Sequence, residues 1–453
     1  MAVKCDKITC LRQKYSKIVA YFKCVSYNMY ERTDIMYIKR DIEDYIKKAS
    51  SSFQAIVIYG PRQVGKSTTV DMIFGDKFTS VTLDDTNERE LALTNPKGFL
   101  EVHPWPIIID EVQRAPNLLS EIKIIIDEQR KKWLKENQER ELMYVLTGSN
   151  QFELQQGVSE SLAGRAAVFN MSSMTQLESQ GIRGELFNPD VTGLLRKANN
   201  SKVSYKTKSE IFDFIFRGGM PDIVVGNSER ELYFKSYFDT YIEKDVLKLI
   251  AASSEMQFRR FMSYLALRTS QQVNYEVFSR ELGIDNQTVK RWLSILVTSG
   301  IIALLEPYMA NISNRIIKSP KLYFMDTGFC AYLCKWPNAR MLEECAMSGA
   351  FFETFVVSEV LKNFYNHNVD AKNYLFYYRD IDQKEIDLLY VLNNIIYPIE
   401  VKKGQQPTKP TKNFKVLSKY GMEIKPGLII DTCDAIRPIN DKAYSYPVFL
   451  LGI

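Results

Sequence analysis

Histidine is nearly missing from this chain: His103 and His367 are the only two in 453 residues. Cysteine is sparse and unordered, seven residues with no CxxC pair and no metal-ligand spacing. A zinc site is therefore not expected, and scattered thiols of this kind fit a reducing cytosol. Also missing is any run approaching roughly 18 uninterrupted apolar residues, the length a membrane helix needs. The stretch before Tyr30 has short apolar runs broken by Lys17 and Lys23, and it lacks a small-residue cleavage site. A cytoplasmic protein with no membrane partner is the expectation. Charge of one sign is not in excess either, since 59 basic and 54 acidic residues leave a net +5. So mild a balance does not imply nucleic acid, and any case for DNA has to come from local patches.

The length suggests about two to four domains. Residues 1–35 are basic and weakly patterned, either a short helical extension or a poorly ordered leader. Ile38, Ile42, Tyr45 and Ile46 then recur at helical spacing. A buried strand follows at AIVIY (55–59), a second at VTLDD (81–85), a third at PIIIDE (106–111) and a fourth at MYVLTGS (143–149), with a charged helix over about 117–140. Strands alternating with helices predict an α/β domain with a parallel sheet covered on both faces. From 151 to 265 the pattern turns mostly helical, interrupted at RGGMPD (217–222).

The segment Gly60-Pro61-Arg62-Gln63-Val64-Gly65-Lys66-Ser67, continuing into Thr68, has the form GxxxxGKS between an apolar strand and a helix. Glycines at this spacing let backbone N–H groups wrap around phosphates, and the helix start adds its positive dipole end. Lys66 is expected to reach the β- and γ-phosphates of ATP and Ser67 to ligate Mg²⁺. Ile107-Ile108-Ile109 place Asp110 at the end of a strand, where it can hold the magnesium, and Glu111 is placed to polarise water. Ser149, in LTGSN, either senses the γ-phosphate or belongs to a polar turn. Arg165, in SLAGRA, is a candidate transition-state arginine, in cis or across a subunit interface, or else a structural salt bridge.

The run YIKRDIEDY, GPRQVGKST, IIIDEVQ, LTGSN, SLAGRA, FRGGMPD and TYIEKDV resembles a widespread prokaryotic family of AAA-type ATPases, over about residues 36–450. The second half of such proteins usually carries a domain of unknown function. Members commonly begin at the position of Met36, which implies that residues 1–35 are an extension or an upstream start. By analogy with related signalling ATPases, GGMP (218–221) resembles an element that packs a lid on adenine, with Pro221 touching the base; turn chemistry alone also explains it.

Residues 279–302 read as a helix, a turn at Gly283 and a second helix, followed by a β-wing over 301–325. Gln287, Lys290, Arg291 and Ser294 share one helix face suited to a major groove, and Arg315, Lys318 and Lys321 could meet phosphates. A winged helix can equally act as a lid or a protein docking surface. Farther on, Glu353 sits on an apolar helix, Asp387 interrupts the strand EIDLLYVL, and Glu400 and Lys402 alternate on IIYPIEVKK (395–403). Period-two geometry points Glu400 and Lys402 to one face. Asp387 and Glu400 with a lysine could hold a second magnesium at a phosphodiester. This spacing resembles the PD-(D/E)xK nuclease superfamily; an amphipathic sheet with Lys402 paired to Glu400 is the alternative. Just beyond, residues 401–420 carry six lysines and no acids, a phosphate-attracting tract or a solvated loop.

The expected architecture is a P-loop AAA-like domain (36–180), a helical lid or linker (181–271), a winged helix (272–345) and a restriction-endonuclease-like α/β domain (346–453). Its expected cofactors are ATP and magnesium. Two functions remain open. In one, ATP hydrolysis controls a winged-helix plus nuclease-like half in DNA processing or defence. In the other, slow turnover gates a protein-binding, catalytically inactive C-terminal half. DNA, a protein partner and a second copy of the chain are the partners weighed.

Overall fold

The computed structural model describes residues 37–149, 160–226, 228–246, 249–250, 254–309, 319–404 and 410–453. The chain divides into two compact units, Met1–Tyr37 and Ile38–Ile453, and all the elements named below lie in the second. The expected extension (1–35), Asn150 of LTGSN, Arg315 and Lys318 of the wing, and 405–409 of the lysine-rich tract lie outside the described residues.

Five apolar residues in a row can form a stable strand only where both faces are covered. AIVIY does so as β1 (Ala55–Tyr59), every residue of which is buried. It joins β2 (Thr79–Thr82), β3 (Ile107–Asp110), β4 (Tyr144–Gly148) and β5 (Ala166–Asn170) in a sheet of order β2-β3-β4-β1-β5. All four pairings are parallel. Because β4 lies between β1 and β3, the carboxyl ends of these three strands stand side by side.

Two expectations about this domain are corrected. The second strand runs over Thr79–Thr82 rather than 81–85, because Asp85 instead caps the helix Thr86–Thr94, accepting from the N–H groups of Asn87 and Glu88. The strand β5, rich in alanine, gave no period-two signal and was not expected. The charged helix spans Leu118–Glu136 and stops where Asn137 adopts a left-handed conformation.

The middle of the chain is helical, with Lys208–Arg217, Arg230–Tyr241 and Glu255–Ala266, and a π-helical turn at Ile242–Val246. Helices Tyr275–Leu282 and Asn286–Thr298 then lead into an antiparallel pair, β6 (Ile302–Leu305) and β7 (Lys321–Phe324), with Gln272 bridged to Lys321. Val289, Trp292, Leu293 and Leu296 supply the buried face of the second helix. Next come the helix Ser348–Asn366 and an antiparallel meander of β8 (Leu375–Arg379), β9 (Glu385–Leu392) and β10 (Ile395–Val401). The short β11 (Glu423–Ile424) and then β12 (Gly427–Asp431) pair in parallel with β10. β13 (Arg437–Asn440) and β14 (Ala443–Pro447) complete a mixed sheet of order β13-β14-β12-β10-β9-β8.

One hydrophobic core runs through the unit, from Ile42, Val64 and Met171 through Phe258 and Trp292 to Phe352, Leu388 and Val448. A second cluster, including Val57, Ile109, Leu146 and Trp133, covers the other face of the parallel sheet. Polar contacts join the segment after β5 to the helix Ser348–Asn366. Gln176 N–H donates to Glu359 at 2.7 Å, and Lys362 donates to the Met174 carbonyl at 3.0 Å.

Arg40 ties the start of the unit to this segment. Its guanidinium, 2% exposed, bonds Glu178 (Nε to Oε1, 3.0 Å), the Val64 carbonyl (3.0 Å) and the Ser172 carbonyl (2.9 Å). Removing one partner of a buried pair strands the other charge, which costs about 3–5 kcal/mol. Arg40→Ala is therefore expected to lose that much stability in denaturant unfolding; a loss below about 1 kcal/mol would contradict this role.

Candidate active site

The phosphate loop begins where β1 ends. Gly60 and Gly65 have φ of +155° and +90°, and a Cβ on Gly60 would lie 1.9 Å from the Met171 carbonyl oxygen. Only glycine can pass there. The helix Lys66–Phe74 starts at this turn, so its unpaired N–H groups and positive dipole end face the loop. Lys66 is buried and donates to the carbonyls of Gly60 (3.0 Å) and Pro61 (2.8 Å). Burial pushes its ammonium down to about 8, with Glu111 and Asp110 pulling back only in part.

Asp110 ends β3, and its Oδ1 accepts from the Ser67 hydroxyl at 3.2 Å and from the Thr147 hydroxyl. Thr147 comes from β4, the strand interposed between the loop and Asp110. A serine hydroxyl and a carboxylate meeting at a helix start are the hard oxygen donors that magnesium takes, so Ser67 and Asp110 fit that ion. Glu111 follows with φ of +56°, a left-handed conformation uncommon for a residue with a side chain and concentrated at functional sites. Its Oε2 accepts from Ser149 at 3.1 Å and from Gln113. Burial alone would raise this carboxyl, but Lys66 and then Arg62 outweigh it and hold it below the ordinary range. It is thus a carboxylate at neutral pH.

Arg62 leaves the loop toward the helical region. Its Nε and Nη2 donate to Asp245 at 2.6 and 2.8 Å, while Nη1 stands 3.8 Å from Glu111 Oε1. Gln63 and Thr68 are exposed at the loop, and Val64 is buried beneath it. Pro221 opens the short helix Pro221–Val224, and its Cγ would be 3.8 Å from a Cβ built on Gly65. The proline therefore packs against the phosphate loop.

Arg165 lies elsewhere. Its backbone carbonyl bonds the N–H of Ala55 at the start of β1, and its guanidinium holds Asp127 through two 2.7 Å bonds. The loop begins at the far end of this five-residue strand, roughly 16 Å away. Of the expected roles, catalysis in cis is corrected to a salt bridge at the opposite edge of the sheet. Sequence reasoning missed Thr147 as an Asp110 partner, Gln113, Asp245 and Arg40. TYIEKDV and YIKRDI contain the last two, but a charge in such a segment does not announce which distant residue it meets.

The second expected site is a cluster of ions. Lys402 bonds Glu400 at 2.8 Å and stands 3.5 Å from Asp387, which also accepts from the Val401 N–H at 2.8 Å. Lys321, 3% exposed, bonds Glu353 at 2.7 Å and Glu385 at 2.5 Å, and Tyr323 also donates to Glu353. Burial, followed by the charge of Asp387, raises both Glu353 and Glu400 above the ordinary carboxylate range. Among the described residues no group of three or more His, Cys, Asp or Glu side chains is arranged to hold a metal ion. Asp387, Glu400 and Lys402 are therefore brought together as the period-two pattern implied, with both carboxylates paired to the lysine.

This also corrects the DNA-contact expectation for Lys321, which is buried and doubly paired. Gln287, Lys290 and Arg291 are exposed, as expected, opposite the buried face of their helix. In the lysine-rich tract, Lys403 bonds Ser348, Lys419 bonds the Tyr378 hydroxyl at 2.9 Å, and Lys412, Lys415 and Lys419 are exposed. Among the described residues no helix is long and apolar enough to cross a membrane.

A parallel sheet of this order, a GxxxxGKS loop and an aspartate–glutamate pair closing on it define a P-loop ATPase domain, a unit that binds and hydrolyses ATP. Residues 52–179 match the AAA domain family, while residues 208–340 and 348–450 match two domains of unknown function, DUF8612 and DUF4143. The chain is 26% identical over 376 residues to the uncharacterized proteins Rv2008c of Mycobacterium tuberculosis and Mb2031c of Mycobacterium bovis, covering 82% of this chain and 75% of each relative. Among solved structures it is similar to the Walker-type ATPase PABY2304 of Pyrococcus abyssi, with 13% identity, a TM-score of 0.41, and 66% of this chain and 96% of that one covered.

Phosphate charge beside Lys66 must raise its proton affinity again. Binding of ADP at pH 8 is therefore expected to take up about half a proton, and at pH 6 none from this lysine. Calorimetry in two buffers of different ionisation enthalpy measures the uptake; none at pH 8 would contradict the burial argument.

Proposed function

We propose that ATP hydrolysis at this site drives a switch, read by a winged helix and a nuclease-like domain that engage DNA in DNA processing or defence. The observation that carries this reading is that the phosphate loop touches the helix–hairpin unit directly. A Cβ on Gly300, in the turn between the helix Asn286–Thr298 and β6, would lie 3.0 Å from Pro61 Cδ and Cγ. A loop that shifts by tenths of an ångström around a triphosphate would shift that turn, because packed interiors transmit displacement.

In the hydrolytic step the water oxygen bonds to the γ-phosphorus as the bond to the β–γ bridging oxygen breaks. ADP leaves with the electron pair, and Glu111 accepts the water proton before releasing it to solvent. Lys66 and the loop N–H groups hold the phosphates. Ser67 and Asp110 would hold magnesium, which neutralises phosphate charge when bound. Ser149 and Gln113 orient Glu111, and Thr147 orients Asp110.

Two helices followed by a hairpin, with a third strand segment at Gln272 bridging β7, support the winged-helix reading. Helix, three-stranded antiparallel meander and then a strand parallel to β10 support the nuclease-like one. Gln287, Lys290 and Arg291 form the candidate DNA face. A cytoplasmic setting belongs to the same reading. One observation favours the second function, a protein-binding switch without cleavage: Lys321 and Lys402 already neutralise the carboxylates that would serve a phosphodiester.

DNA binding by the full chain separates the two. Titration of duplex DNA with ATP and magnesium is expected to show salt-dependent binding. The double substitution Lys290→Glu, Arg291→Glu should weaken it roughly tenfold or more while leaving ATP turnover intact. No DNA binding in either nucleotide state, with turnover indifferent to DNA, would overturn the DNA reading in favour of the protein switch.

A further inference from the structure

Arg62 has more to do than shape the loop. It is a bulky cation at the third position of the phosphate loop, on the side where Glu111 would meet the attacking water. Asp245 engages one edge of the guanidinium, through Nε and Nη2, in a bidentate pair. Such a fork fixes the plane and direction of the group. The remaining nitrogen, Nη1, points toward Glu111 at 3.8 Å, beyond hydrogen-bond range, and makes no hydrogen bond to any described residue. An arginine anchored on one edge by Asp245, and engaged on the other only by a long ion pair with Glu111, is preorganised for a third party.

The chemistry of the step names that party. As the γ-phosphoryl group transfers, negative charge spreads over its equatorial oxygens and the leaving oxygen, and fixed cations aimed there accelerate the reaction. Lys66 supplies one. Arg165, the arginine expected to supply another, is committed to Asp127 at the far edge of the sheet. We propose that Arg62 is the transition-state arginine of this ATPase, acting in cis on the γ-phosphoryl oxygens through Nη1, and that Asp245 is its positioning residue. The inference rests on the reading of the site as an ATPase and adds a residue role to it.

Asp245 lies in the π-helical turn Ile242–Val246. Insertions of this kind in α-helices recur at functional sites because they re-aim a side chain. Here the turn directs a carboxylate from the helical region onto the phosphate loop. The arrangement makes the catalytic arginine dependent on a residue outside the AAA-matching segment, so movement of the helical region would alter turnover without touching the nucleotide.

The test compares Arg62→Gln, Arg62→Lys, Asp245→Asn and Asp245→Glu with wild type in the full chain. It measures steady-state ATP turnover, ADP affinity, trapping of ADP with aluminium fluoride, and thermal unfolding. Arg62→Gln is expected to keep ADP affinity within about threefold, lose turnover roughly 100-fold and lose aluminium fluoride trapping. Arg62→Lys should recover only part of the rate, because an ammonium cannot hold both partners. Asp245→Asn should lower kcat about tenfold with KM little changed, and Asp245→Glu should restore part of it. Turnover of Arg62→Gln within threefold of wild type overturns the proposal. So does a loss of ADP affinity or melting temperature that accounts for the whole loss of rate, since that marks a structural tie. Absence of turnover in the wild-type protein would instead sink the ATPase reading itself.

Discussion

The carboxylate of Asp110 is the point on which the nucleotide site closes. One oxygen receives hydroxyls from two elements, Ser67 from the start of a helix and Thr147 from β4. That meeting is possible only because β4 is interposed between β1 and β3. Without it the loop and the acidic strand end would be adjacent, with no polar strand end between them to fix the carboxylate. Everything that follows in the site, including the strained backbone of Glu111 and its contacts with Ser149 and Gln113, is built outward from this anchor.

Much of this was legible in the residues. Three isoleucines before Asp110-Glu111 specify a buried strand with acids at its mouth, and GxxxxGKS specifies the loop, because both are local patterns with local causes. What could not be read were interactions between segments far apart in sequence. Arg62 and Asp245 are 183 residues apart, and nothing in either segment names the other. Lys321 reads as a wing lysine but is drawn inward by Glu353 and Glu385 once the hairpin packs on the helix Ser348–Asn366. Arg165 was ambiguous for the same reason: only the pairing of β1 with β5 reveals which end of the sheet it occupies.

The contacts between the halves differ in kind. Behind the sheet, the buried pair Arg40–Glu178 ties the start of the unit to the segment after β5, and Glu359 and Lys362 tie that segment to the helix Ser348–Asn366 through the Gln176 N–H and the Met174 carbonyl. Such pairs are costly to break and behave as fixed joints. At the phosphate loop the contacts are smaller and more exposed to change: a glycine against a proline, and one arginine shared between Asp245 and the neighbourhood of Glu111.

The claim that Glu111 activates water at a triphosphate held by the loop is tested most directly by single-turnover phosphate release from Glu111→Gln, with ATP binding measured on the same sample. Binding of ATP with magnesium within about threefold of wild type, and release slower by roughly 100-fold or more, is the predicted result. Release at the wild-type rate, or a failure of the wild-type protein to bind ATP with magnesium, would contradict it.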